Sequence, residues 1–207
     1  GCTNACRLSV STFDGGRRYI SGNKCDKPLR KSEETQAAPL PNLFEYKRQL
    51  LSAYRPVKGT RGVVGIPMGL NFYENLPFWH AFFTTLGYEV IVSPPSTRNL
   101  SLRGQATIPS DTVCYPAKLM HGHIDALLRM GADTIFYPCM SYNFDEHLSD
   151  NHFNCPVVAY YPEVAAANIR ALGRVKFIYD YLDLSDPKRF VKKAVSVFRR
   201  SFGELTE

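Results

Sequence analysis

The residues of this 207-residue chain best suited to chemistry are its six cysteines, which fall into two groups: Cys2, Cys6 and Cys25, then Cys114, Cys139 and Cys155. A thiolate is both a metal ligand and a nucleophile, so what surrounds each thiol matters. In "SDTVCYPAKLMHGH", Pro116 fits the first turn of a helix, where its missing N–H costs nothing, and Gly131 fits the far end as a cap. The spacing predicts a helix over about 116–130, with Ala117, Met120, Ile124, Leu127 and Leu128 buried and Lys118, His121 and Asp125 on another face. Cys114 then lies just before the helix N-terminus, where free N–H groups and the helix dipole favour the thiolate. Ser110 or Asp111 is placed to accept bonds from those N–H groups.

Cys139 follows "TIFYP", an apolar run that reads as a strand, and Pro138 stops ladder pairing and turns the chain away. If the preceding helix feeds that strand by the usual right-handed connection, Cys114 and Cys139 share one rim of a sheet. Cys155 precedes "PVVAYY", which also reads as a strand. That puts it at the amino end, on the opposite rim, unless the loop 140–154 bends back. His121, His123, His147 and His152 match no standard zinc spacing, and surface or helix-facing positions are expected for them. Free cysteine is also a common small core residue, so structural thiols are the alternative.

The elements around these residues read as one α/β domain over 61–207. "GVVGIPM", "YEVIVSPP", "DTIFYP", "VVAYY" and "VKFIYDY" are strand-like. Helices are expected over "NLPFWHAFFTTLG", from about Pro162 to Leu172, and in "SDPKRFVKKAVSVFRRSF". In the last, Asp186 is the expected N-cap, and Phe190, Val191, Ala194, Val195 and Phe198 form the apolar face. Trp79, Phe78, Phe82 and Phe83 are expected as core packing of the first of these helices. Alternating strands and helices imply a mostly parallel sheet covered on both faces, with ligands beyond its carboxyl edge. Residues 1–30 read as a cysteine-bounded hairpin turning at "DGG", and 31–60 as a polar linker with a short helix bearing Leu43, Tyr46, Leu50 and Leu51 on one face. Cys2, Cys6 and Cys25 would meet at one end of the hairpin, a knuckle suited to zinc with a fourth ligand supplied elsewhere. Its opening in the middle of that motif predicts a piece of a longer protein.

Composition narrows the classes. The net charge of +6 is spread in ones and twos rather than clustered, which argues against nucleic-acid binding. No long apolar run or signal-peptide pattern is present, so a soluble, cytoplasmic protein is expected, with thiols reserved for metal or redox chemistry. No G-x-G-x-x-G or P-loop pattern follows the first strand.

Four stretches, "GIPMGLNFYENLPFWHAFFTTLGYEVIVSPPS", "IPSDTVCYPAKLMHGHI", "IFYPCMSY" and "DNHFNCPVVAYYPEV", closely resemble an uncharacterised domain of large proteins related to activators of 2-hydroxyacyl-CoA dehydratases. "CTNACRLSVSTFDGGRRYISGNKC" resembles the cysteine segment that precedes it. The resemblance implies a Rossmann-like sheet and kinship with dehydratase catalytic subunits of the 2-hydroxyglutaryl-CoA type. Those hold a [4Fe-4S] cluster on three cysteines between lobes, with one iron open. It implies Cys114 and Cys139 as cluster ligands, through the S-D-x-x-C and P-C positions, with Cys155 in the domain's own N-C-P motif. Implied partners are an ATP-dependent activator domain or subunit, the other lobes of a full-length protein, and an acyl-CoA substrate. The activator's ATP-binding motifs are absent and only one lobe is evident, so neither ATP hydrolysis nor a complete substrate pocket is expected of this stretch alone. Three functions stand side by side: an iron–sulfur electron-transfer module, a scaffolding domain with structural cysteines, and a zinc module at the front.

Overall fold

The computed structural model describes residues 5–29 and 40–203. The chain divides into two compact units, Gly1–Leu43 and Phe44–Glu207.

The first unit is a hairpin of β1 (Ser9–Thr12) and β2 (Arg18–Ser21), antiparallel, with Ser9 opposite Ser21 and Thr12 opposite Arg18. Its turn closes through Gly15 and Gly16 at φ 77° and 73°, backbone that a side chain disfavours. The register leaves Cys6 and Cys25 at the same open end, both as free thiols. Cys2 lies outside the described residues.

The second unit opens with α1 (Leu43–Ser52) and then alternates: β3 (Val63–Ile66), α2 (Phe72–Thr85), β4 (Glu89–Val92), α3 (Arg98–Gly104), α4 (Tyr115–Arg129), β5 (Thr134–Phe136), α5 (Pro156–Asn168), β6 (Lys176–Ile178) and α6 (Pro187–Phe202). The four strands form one parallel sheet in the order β4-β3-β5-β6. As expected, it is a Rossmann-like α/β fold with helices on both faces. On one face Phe136 packs against Trp79 and Phe83 of α2 and Phe198 of α6, at ring-centroid distances of 4.5, 4.9 and 6.2 Å. On the other, Gly65 lets Leu127 of α4 lie against the strand. Burial of these aliphatic and aromatic side chains, each contributing roughly 1.5–3 kcal/mol by leaving water, is the main stabilising term.

Three expectations are corrected. "PVVAYY" is helix, not strand: α5 runs unbroken from Pro156 through Pro162 to Asn168. An apolar run of that length has no periodicity to separate strand from buried helix, and the informative signal was Pro156 at the helix start. Second, α6 keeps its Asp186 cap, whose carboxylate accepts from the N–H groups of Lys188 and Arg189 at 2.9 and 3.1 Å. Its buried residues are Ala194, Val197 and Phe198, whereas Val191 and Val195 are 57% and 37% exposed. Third, α4 begins at Tyr115 and buries His121 and His123 together with its aliphatic stripe.

Those histidines explain how α3 is held. Gly104 of α3 lies against Gly122 of α4, and a Cβ on Gly122 would collide with the Leu100 carbonyl and side chain. With the backbones this close, the residues flanking Gly122 reach both ends of the α3 segment. His123 Nε2 meets Ser96 Oγ at 2.9 Å before α3, and His121 Nδ1 meets Thr107 Oγ1 at 2.8 Å after it.

Candidate functional site

The second cysteine group gathers at the carboxyl edge of the sheet. Cys139 lies three residues past β5, yet stays in register: its N–H donates to the Asp180 carbonyl at 3.1 Å, and its carbonyl accepts from Leu182 at 2.9 Å. Pro138 therefore ends the strand without releasing the cysteine. Cys114 is the N-cap of α4 and Cys155 the N-cap of α5, with nearly the same backbone, φ −60° and ψ 150° against φ −61° and ψ 154°. Each is followed by proline within the first turn, and neither side chain is used in capping. Both sulfurs thus stand beside helix N-termini without being spent on a cap bond.

Cys155 is accordingly on the rim of Cys139 and not opposite it, which removes the geometric objection raised by reading "PVVAYY" as a strand. Pro162 lacks the N–H that would bond the Val158 carbonyl four residues back. That carbonyl instead accepts from Met140 at 3.5 Å, while Asn154 Nδ2 donates to the Met140 carbonyl at 2.9 Å. The residue after Cys139 is in this way tied to the first turn of α5.

Cys139 is buried, whereas Cys114 and Cys155 are exposed. Burial pushes the Cys139 thiol up to about 12, with the Glu163, Asp180 and Asp183 carboxylates adding to the rise and a hydrogen bond with the Glu163 backbone opposing it. Glu163 is itself engaged, accepting from the Tyr181 hydroxyl at 2.9 Å.

Two residues before Cys139 lies Tyr137, fully buried, its hydroxyl without a hydrogen-bond partner. Burial raises its pKa well above that of an ordinary phenol, and Tyr161, Cys139, Cys114 and Cys155 add to the rise electrostatically. Tyr161 bonds to His121 Nε2 at 2.9 Å, and burial lowers His121 to about 4, so the imidazole is neutral. Proton bookkeeping fixes its tautomer. The Thr107 hydroxyl donates to the Gly104 carbonyl, so it accepts from His121 Nδ1–H, and the bare Nε2 accepts from Tyr161.

Among the expected supporting residues, Pro116 lies in the first turn of α4, one residue past its start at Tyr115, and Ser110 Oγ accepts from the Thr112 N–H at 3.2 Å. The Lys118 ammonium donates to the Asp111 carbonyl at 2.7 Å, which braces the turn before Cys114. No cap bond from Ser110 or Asp111 to α4 is among these contacts. His147 and His152 both reach the Asp145 carboxylate, at 3.2 and 3.4 Å, in the polar loop. Tyr137, Tyr161 and His121 were not legible as site residues, because nothing local marks a tyrosine in an apolar run as lacking a partner.

Among the described residues, no three His, Cys, Asp or Glu side chains come together closely enough to ligate a single metal ion. The cysteines share an environment without meeting at a point, and their donor set is three sulfurs with a buried O–H. By its chemistry, thiols with a phenol, that donor set is of the type a sulfur-rich group would use. No described helix is long and apolar enough to cross a membrane. No curated protein and no solved structure matches the chain. Over residues 63–207, which include the whole sheet and all three rim cysteines, it matches the model of the CoA enzyme activase uncharacterised domain (DUF2229), and the chain belongs to that family.

Proposed function

We propose that this domain binds a [4Fe-4S] cluster through Cys114, Cys139 and Cys155 and works as the cluster-carrying, electron-receiving module of an ATP-dependent 2-hydroxyacyl-CoA dehydratase-like system. The observation that carries the proposal is the placement of Cys114 and Cys155 as the N-caps of two helices on the rim where Cys139 ends its strand, with the buried Tyr137 hydroxyl left without a partner. A cluster held by three thiolates supplies one-electron chemistry and keeps one iron free for an oxygen ligand.

The chain's own residues divide the work. Cys114 and Cys155 present sulfur at helix N-termini, where negative charge is favoured. Cys139 must give up a proton that burial holds on to, so uptake at that sulfur releases a proton and weakens as the pH falls. His121 fixes the Tyr161 hydroxyl by accepting its hydrogen bond. The exposure of Cys114 and Cys155 suits a rim closed by another lobe or subunit, in keeping with partnership to an enzyme component.

Anaerobic reconstitution of the full chain with iron and sulfide tests the proposal. We expect ~4 iron atoms per chain and thiolate-to-iron absorption in the visible. Each of Cys114→Ala, Cys139→Ala and Cys155→Ala should lower both. Absence of such absorption in the native sequence, or full retention in Cys114→Ala, sinks it and leaves the scaffolding function, in which the thiols are structural.

The hairpin supports a second, independent role in zinc binding, since Cys6 and Cys25 share its open end as free thiols. Zinc content of the full chain should fall in a Cys6→Ser/Cys25→Ser double variant; unchanged zinc assigns the metal elsewhere.

A further inference from the structure

Two buried side-chain polar atoms among the described residues lack a hydrogen-bond partner: Trp79 Nε1 and the Tyr137 hydroxyl. The indole lies in an aromatic cluster, with Phe136 and Phe78 centroids at 4.5 and 4.8 Å, and ring faces are weak acceptors for N–H groups. Tyr137 is different. Its ring packs against Phe72 at 6.1 Å, while its buried hydroxyl has no partner, two residues before Cys139 and within electrostatic reach of Tyr161, Cys114 and Cys155. Tyr161 offers it no proton, having donated its own to His121. A phenylalanine would fill the same apolar site without leaving a donor unpaired. The unpaired hydroxyl is thus a cost to the fold, borne just past the strand end that leads to Cys139.

We infer that the Tyr137 hydroxyl is the hydrogen-bond donor to a sulfur of the group held by Cys114, Cys139 and Cys155, and that it sets that group's reduction potential. The inference rests on the cluster-binding function proposed above. A phenol is protonated at neutral pH, so the donor is available throughout the working range. Hydrogen bonds to cluster sulfurs are among the determinants of potential, because they stabilise the more negative, reduced state. Burial removes water as a competing donor and strengthens the bond.

The test compares the full native chain with Tyr137→Phe in two measurements. In the apo form, the denaturant midpoint of Tyr137→Phe should rise, since the substitution removes an unpaired buried hydroxyl. After anaerobic reconstitution with iron and sulfide, Tyr137→Phe should take up as much iron as the native chain. It should also show a more negative midpoint potential in a redox titration. An unchanged potential overturns the inference while leaving cluster binding intact. A lower apo midpoint, or failure to fold, overturns it as well, since the hydroxyl would then have a structural partner. Failure of the native chain to assemble any cluster overturns both the inference and the function on which it rests.

Discussion

The three rim thiols are chemically unequal. Cys114 and Cys155 are exposed at helix N-termini, while Cys139 is buried and its pKa is raised to about 12, so at neutral pH it is a thiol. Because the thiolate is the species that reacts, alkylation of the native apo protein at pH 8 should modify Cys114 and Cys155 first. Cys139 should react only on unfolding. Peptide mass spectrometry after timed iodoacetamide exposure reads the order, and equal rates for Cys139 and Cys114 would contradict the placement. Cys114 and Cys139 could be read from sequence because their signals are local, a proline in the first helical turn and a proline ending a strand. The pairing of Tyr161 with His121 spans 40 residues and leaves no such trace.

At the scale of elements, the parallel sheet and most helices were legible from the alternation of short apolar runs with amphipathic stretches. The exceptions were α3, over which no element was expected, and α5, whose apolar run carries two prolines and little sidedness. Its reassignment from strand to helix moved Cys155 to the rim of Cys139. The α3–α4 contact was hidden for a different reason. In "HGH" the glycine is needed because Leu100 and Gly104 of α3 rest on the α4 backbone, a tertiary demand that no local pattern reports. Gly122→Ala forces a Cβ into the Leu100 carbonyl, and overpacking of this kind costs about 1–3 kcal/mol or more. We expect Gly122→Ala to lower the denaturant midpoint and to loosen both histidine clamps. A stability within 0.5 kcal/mol of native would show that α3 can move away at little cost.

Across the whole molecule, the buried titratable groups bound stability from both sides of neutral pH. His121 and His123 are pushed down from 6.5 to about 4 by burial, with both ring nitrogens of each hydrogen-bonded. A depressed histidine contributes stability that is fully present above the unfolded value and is lost as the pH falls toward the folded one. At 1.36 kcal/mol per unit, the upper limit is roughly 3 kcal/mol per histidine. On the alkaline side, Cys139, Tyr137 and Tyr161 are raised, so their contribution is present below the unfolded values and is lost as the pH climbs through 9 and beyond. Unfolding free energy should therefore be greatest between these limits. The decisive window is pH 6.5 to 5, above the ordinary carboxylate range, where the two imidazoles dominate the slope. There the native chain should lose stability as the unfolded state takes up close to two protons. His121→Gln and His123→Gln, though less stable at pH 7, should each halve that slope. Urea titrations at several pH values measure it directly, and an unaltered slope in both variants would mean that neither histidine is buried neutral.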